Sequence, residues 1–417
     1  MPTRRDFLLA AAIPLAARRL ALAAPQASAA PLKLAIVTTE WRFRSHAWHM
    51  GERFLAGYPK EGKWHRPPVE VVSAYVDQFP EGDLSRGRAK EFGFKIYPTI
   101  AEALRQGGDS LAVDAVLLIG EHGNYPFNEI GQHLYPRYQF FKQIAKVFKK
   151  DGKAVPVFND KHLSWNWEWA KEMVDLSKEL KFPFLAGSSL PVTWRMPSID
   201  LLFGSETEEV MCVAMGGLDS YDFHALEVIQ CMAERRHGGE TGVAWVHGMK
   251  GEAVWKALES NEWDASLFEA CLARSQTLGQ PATASHRLPT PKQRRELCKE
   301  PLAYRFQYRD GTRATMLLMN GLVGDFNFAA RIKGEKKPLS TLFYLPPNPN
   351  VTYSAALMSK AEEMFVTGKA PYPVERTLLT SGILQSCIQS LAAGKKLETP
   401  HLKVVYSPAM ISQYWRS

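Results

Sequence analysis

Chemistry in this chain concentrates where histidines stand beside charged neighbours. His46 and His49 are three residues apart, which places both imidazoles on one face of a helix. Glu121-His122 and Asp160-Lys161-His162 each follow an apolar run, and His224 lies in Tyr221-Asp222-Phe223-His224. Imidazole and carboxylate groups brought together suit zinc, manganese or iron, so His46, His49, His122 and His162 are candidate ligands for a divalent metal. The same groups would equally make a hydrogen-bonding basin for sugar hydroxyls, and an isolated histidine is more often structural. Lys161 is the strongest single candidate, since a closed cleft is expected to ready a lysine to donate its proton to a sugar hydroxyl or ketone. The plainer reading is a surface lysine after a strand.

Trp165, Trp167 and Trp169 alternate with Asn166 and Glu168, and Trp41 and Trp48 stand near the first loop. Aromatic faces of this kind pack on sugar rings and just as readily fill cores. Gly187-Ser188-Ser189 lacks the GxSxG of a nucleophile elbow, which excludes that route to serine-hydrolase chemistry. Arg235-Arg236 reads as a solvated helix end favoured by the macrodipole.

The elements that must position these residues alternate from residue 32 onward. Strand-like runs cover Leu32 to Thr38, Val69 to Asp77, Val113 to Gly120, Ala154 to Asn159 and Phe182 to Ala186. Amphipathic helical runs cover Ala47 to Ala56, Arg86 to Phe92, Ile100 to Gln106, Tyr138 to Lys149 and Trp167 to Leu180. That order predicts an α/β domain, a Rossmann-like doubly wound parallel sheet over 31–195. The remainder, 196–417, reads as an α+β domain with a mainly antiparallel sheet: helices around Ala225 to Arg235 and Val374 to Ala393, strands Leu302 to Tyr308 and Arg313 to Met319, and Asp310-Gly311 as a hairpin signal. Leu345 to Asn350, rich in proline, reads as a surface loop or domain-contact segment.

Val113-Asp114-Ala115-Val116, the run Gly152 to His162, the helix from Trp167 and Leu185-Ala186-Gly187 together resemble the Gfo/Idh/MocA oxidoreductase family. Asp160-Lys161-His162 takes the place of that family's Glu-Lys-Pro, whose lysine sits beside nicotinamide and sugar. Gly216-Gly217 followed by His224 resembles the segment carrying its acid/base histidine, and Val374 to Ala393 resembles its closing helix. The likeness spans the chain beyond residue 30 in element order. It implies NAD(P), a carbohydrate or polyol substrate, Lys161 and His224 as catalytic groups, and a homo-oligomer formed through the open face of the second sheet. Thr38, Thr39, Asp77, Glu121, His122 and Asp160 fall where the cofactor would lie; His162, Trp165 and Tyr221 fall where the substrate would.

Two departures qualify this. The family's GxGxxG after the first strand is replaced by Thr38-Thr39-Glu40-Trp41-Arg42-Phe43-Arg44-Ser45-His46, without one glycine, although glycines let the backbone approach a pyrophosphate. Trp41 and Phe43 are expected to obstruct that approach. The family's catalytic aspartate, four residues before the histidine, is Ser220, with Asp219 and Asp222 as substitutes. A lone acid such as Asp77 is also a common turn residue.

Composition sets the bounds. With 46% hydrophobic and 23% charged residues, the chain is globular, not disordered. Its net charge of +8 falls to about +5 once residues 1–30 are set aside, too mild for a nucleic-acid footprint. Thr3-Arg4-Arg5-Asp6-Phe7-Leu8, an alanine-rich stretch and Ala27-Ser28-Ala29 read as a twin-arginine signal peptide over 1–30, implying a periplasmic protein with no membrane span after its removal. Five cysteines without CxxC spacing argue against a structural zinc and a dense disulfide framework. The leading expectation is an exported oxidoreductase-like enzyme acting on a carbohydrate or polyol. The rivals are a metal-assisted lyase, hydrolase or isomerase on the same fold, and a binding protein with a dead site.

Overall fold

The computed structural model describes residues 30–282 and 285–416, so the signal-peptide reading over 1–30 lies, apart from its last residue, outside the described residues. Six parallel strands form the first sheet, in the spatial order Lys95–Tyr97, Val69–Val76, Leu32–Thr38, Ala115–Ile119, Val157–Asp160 and Phe184–Gly187. This is the doubly wound order, which reverses between Leu32–Thr38 and Ala115–Ile119 and opens a crevice beyond their carboxyl ends. The central strand Ala115–Ile119 is buried at every position, as a strand covered by helices on both faces must be. The strand forecast from Ala154 begins at Val157, because Pro156 has no N–H to contribute to the ladder. Lys95–Tyr97 is too short to show a period and was not expected.

The second sheet has eight strands, ordered Leu397–Glu398, Val243–Lys250, Leu302–Tyr308, Arg313–Leu318, Thr207–Ala214, Phe326–Ile332, Leu339–Tyr344 and Trp194–Met196. All its pairings are antiparallel except Thr207–Ala214 with Arg313–Leu318. Gly311, at φ 97°, turns the forecast hairpin. Trp194–Met196 belongs to this sheet, so a division at 195/196 runs through one of its strands. Everything from Leu32 onward forms one compact unit.

Alternation along Thr207–Ala214 shows how that sheet is covered. Val210, Cys212 and Ala214 point into a core shared with the helices Tyr221–Ala233 and Glu375–Ala393 and with the first sheet. Met211 and Val213 point the other way, into a core with Trp255, Trp263, Leu267 and Phe268. The second set belongs to Glu252–Glu259, Ala265–Arg274 and the segment joining them. Part of the outer face, expected to be open for pairing of copies, is therefore covered by the chain itself, while Trp245, His247, Arg305 and Gln307 on the same face stay half-buried. Among the described residues no helix is long and apolar enough to cross a membrane, and all five cysteines are buried and free. Arg235 and Arg236, expected at a solvated helix end, are buried: Arg236 pairs with Glu240 and Asp310, and Arg235 with Asp200.

Candidate active site

The carboxyl ends of the first sheet's central strands open onto a cavity of about 220 Å³. From the ends of the first sheet's strands and the segments that follow them come His46 and His49, Glu121 and His122, Asp160 and Lys161, and Ser188 and Ser189; the helix Tyr221–Ala233 contributes Tyr221 and His224, and the helix Tyr353–Thr367 contributes Tyr353 and Ser354. Lys161 and His224, drawn from opposite halves of the sequence, thus share one cavity.

An ion cluster forms its floor. Glu121 accepts from both Lys161 Nζ and Arg137, whose other nitrogen lies 3.0 Å from His162 Nε2. Burial alone would raise the Glu121 carboxyl, but the charges of Lys161 and Arg137 outweigh it and hold the group well below the usual carboxylate range. Arg137 is fully buried and was not singled out from the sequence. The signal for it was Gly120: a Cβ there would stand 2.6 Å from Arg137 Cγ, so only glycine lets the guanidinium reach Glu121.

Above the cluster, His46 Nδ1 lies 2.6 Å from Asp160 Oδ2, and the His46 amide donates to His122 Nδ1 at 3.3 Å. Asp160 is fully buried, and its Oδ1 has no partner among the described residues. Burial lowers the His122 imidazole to about 2 and that of His49 to about 3, in each case helped by the neighbouring His46. His224 is likewise pushed well below its ordinary value, by burial and then by the Lys161 charge, which makes it a weak base. Arg44, His122 and Lys161 all have positive φ, at 65°, 69° and 52°. Left-handed backbone at non-glycine residues costs about 1–3 kcal/mol each and gathers at functional sites.

Several expected residues lie elsewhere. Asp222 is buried under its helix, where its carboxylate accepts from the amides of Asp219, Ser220 and Phe223 and from Tyr304, so it closes a helix end instead of facing the cavity. His162 is 1% exposed, bonded to Arg137 and off the cavity wall. Trp165 packs edge-on against Trp169, which stacks on Tyr138; Trp167 and Trp41 are core residues. Trp48 also stays off the cavity wall, packing edge-on against His49. Of the metal candidates, His46, His49 and His122 line the cavity and His162 does not. The three ligand types that come together are those of His46, Glu121 and Asp160, with atoms within 4.8 Å of one another. Asp160 fits a cation there, but Glu121 already serves Lys161 and Arg137.

A dinucleotide fits this edge poorly. The amide of His46, at the start of the first helix, is taken by His122, and Ser45 Oγ accepts from the Arg42 amide. Thr39 Oγ1 donates to Glu121 O at 2.6 Å, and Thr38 Oγ1 to Glu40 O. Asp77, the ribose candidate, accepts from Tyr75 and Tyr125 and does not line the cavity. Trp41 does not block a ligand as expected; it fills the core against Phe94, and Phe43 stands exposed beside Trp48. The loop after Leu32–Thr38 thus has no glycine and spends its Arg42 and His46 amides within the protein.

No family model matches the sequence, and no curated protein matches it. Solved structures do. GenD2 from gentamicin A biosynthesis, solved in complex with NAD, superposes with a TM-score of 0.55 at 12% identity over 89% of this chain and 97% of that one. The fold is that of the inositol dehydrogenases. Myo-inositol 2-dehydrogenase from Lactobacillus plantarum gives 0.53 at 11% identity over 88% of this chain and 99% of its own. Scyllo-inositol dehydrogenase from Lactobacillus casei, with NAD(H) and scyllo-inositol bound, gives 0.53 at 12% over 88% and 99%. At such identities the likeness is one of architecture, and chemistry has to be argued from the site.

Proposed function

We propose that this chain is a divergent Gfo/Idh/MocA-type enzyme that acts on a carbohydrate or polyol by proton transfer, having kept the substrate end of the inherited cleft and closed its dinucleotide end. The observation that carries the reading is the cavity wall itself. Imidazoles held neutral by burial, serine and tyrosine hydroxyls, and a Lys161 ammonium offer paired donors and acceptors suited to vicinal hydroxyls. Met50, Leu190, Phe326 and Leu357 supply apolar surface for sugar C–H groups. The volume suits one small ring and falls below the roughly 300–1,000 Å³ of pockets enclosing larger ligands.

Solved neighbours with this fold were crystallised with NAD, so the redox reading needs a direct test. Thermal unfolding in the presence of a sugar and polyol panel should rise, and added NAD(P) should leave it unmoved. A dinucleotide that co-purifies, or that stabilises the fold, would restore hydride transfer. Stabilisation by micromolar zinc or manganese, lost in Asp160→Asn, would instead favour the metal-assisted reading, to which the unpartnered Asp160 oxygen lends some support. Export by the twin-arginine route is part of the proposal and rests on Thr3 to Leu8. Replacing Arg4 and Arg5 by lysine should leave the unprocessed chain in the cytoplasmic fraction.

A further inference from the structure

Among the imidazoles lining the cavity, His46 alone has a carboxylate partner in the described residues. Asp160 Oδ2 holds its Nδ1 at 2.6 Å, and Asp160 has no other side-chain partner there. An acid against Nδ1 places the ring proton on that nitrogen and leaves Nε2 as the acceptor. The ring is 17% exposed at the cavity wall, with Nε2 bonded to nothing among the described residues. Its backbone is fixed by the bond to His122, so the imidazole is aimed before substrate arrives.

We propose that His46 and Asp160 form an acid/base dyad that isomerises a hydroxycarbonyl sugar between its aldose and ketose forms. This rests on the carbohydrate reading above and adds a reaction to it. Nε2 takes the proton from the carbon next to the carbonyl. The electron pair of that C–H bond becomes the new carbon–carbon double bond, and the carbonyl π pair moves onto oxygen, where the Lys161 ammonium balances the charge. The hydroxyl proton passes from one oxygen to the other, and the protonated ring returns its proton to the former carbonyl carbon. Hydrogen is conserved, nothing is oxidised overall, and no nucleotide is consumed. The buried Asp160 carboxylate stabilises the imidazolium formed midway, as a buried acid does behind the base of a catalytic triad.

The test uses the chain without its signal segment in D2O with a panel of aldoses and ketoses, no nucleotide and a chelator present. NMR reads deuterium entering at carbon, and thermal unfolding reads binding. Wild type should exchange. His46→Gln should not, while keeping the sugar-induced rise in melting temperature that shows fold and site intact. Asp160→Asn should lower the saturated rate about 100-fold or more with half-saturation nearly unchanged. The dyad is overturned if Asp160→Asn exchanges at the wild-type rate, if exchange needs NAD(P) or a metal, or if sugars that stabilise the fold show none. No stabilisation by any sugar or polyol would sink the carbohydrate reading as well, which separates the two failures.

Discussion

The carboxyl edge of the first sheet has two halves that differ in how their polar groups are satisfied. On the nucleotide half, Thr38, Thr39 and Asp77 are bonded to other parts of the protein. On the cavity half, Asp160 Oδ1 and His224 Nδ1 are buried without partners, and His122 and Lys161 carry left-handed backbone. A loop without glycines that bonds to itself leaves fewer free partners for a pyrophosphate. Strain and unmet polar atoms occur in both halves, at Arg44 and Trp41 Nε1 in the loop after Leu32–Thr38 as well; what sets the cavity half apart is that its unmet atoms belong to Asp160 and His224, residues that line the cavity.

The largest expected effect tests whether the cavity floor is held by charge. Glu121→Gln leaves the Lys161 and Arg137 cations buried against a neutral amide and should cost about 3–5 kcal/mol in chemical denaturation. Next, Gly120→Ala should cost about 1–3 kcal/mol by pushing Arg137 off Glu121, with loss of sugar binding as a second readout. Both variants leave the nucleotide half untouched, so a comparable loss from a substitution there would break the contrast.

The pH dependence sharpens it further. His49 and His122 protonate in the folded chain only near 3 and 2, against an ordinary value near 6.5 when unfolded. Their stabilising effect is complete above about 6.5 and drains away as pH falls toward 3, because the unfolded chain binds the protons first. Glu227, raised to about 7 by burial beneath Ser188, acts with the opposite sign: stability is lost as pH climbs from about 4.5 to 7. Glu227→Gln should therefore flatten the loss on the rising side, and His49→Gln with His122→Gln should make the acid side shallower, both read from unfolding midpoints across pH. The smallest effect belongs to Asp77→Asn. It should cost about 0.5–1.5 kcal/mol through weakened tyrosine bonds and leave sugar-induced stabilisation unchanged. A large loss of ligand binding there would mean that the nucleotide half still serves a ligand.

Much of the scaffold was legible because periodicity is local. The apolar runs and amphipathic helices of 32–187 mark out the wound sheet, and a strand's carboxyl end is where residues such as Lys161 can meet a ligand. The absence of glycine from the loop after Leu32–Thr38 is legible in the same local way. Trp165, His162 and Asp222 show the limit: each has the right chemistry near the right strand or helix, yet stacking, an arginine and a helix end claim them. Arg137, buried beneath the cavity, and Tyr353, on its wall, show the converse, since nothing in their own neighbourhood marks them for those places.

By itself, then, the sequence determined most of the strands and helices of the wound sheet over 32–187, and that no glycine fingerprint follows Leu32–Thr38. Those properties depend on neighbours a few residues apart. Only the tertiary structure decided that His46 meets Asp160 across 114 positions, that Arg137 and Lys161 share Glu121, and that the helices after Val243–Lys250 cover part of the second sheet. Such pairings follow from strand order and burial, which no local pattern encodes.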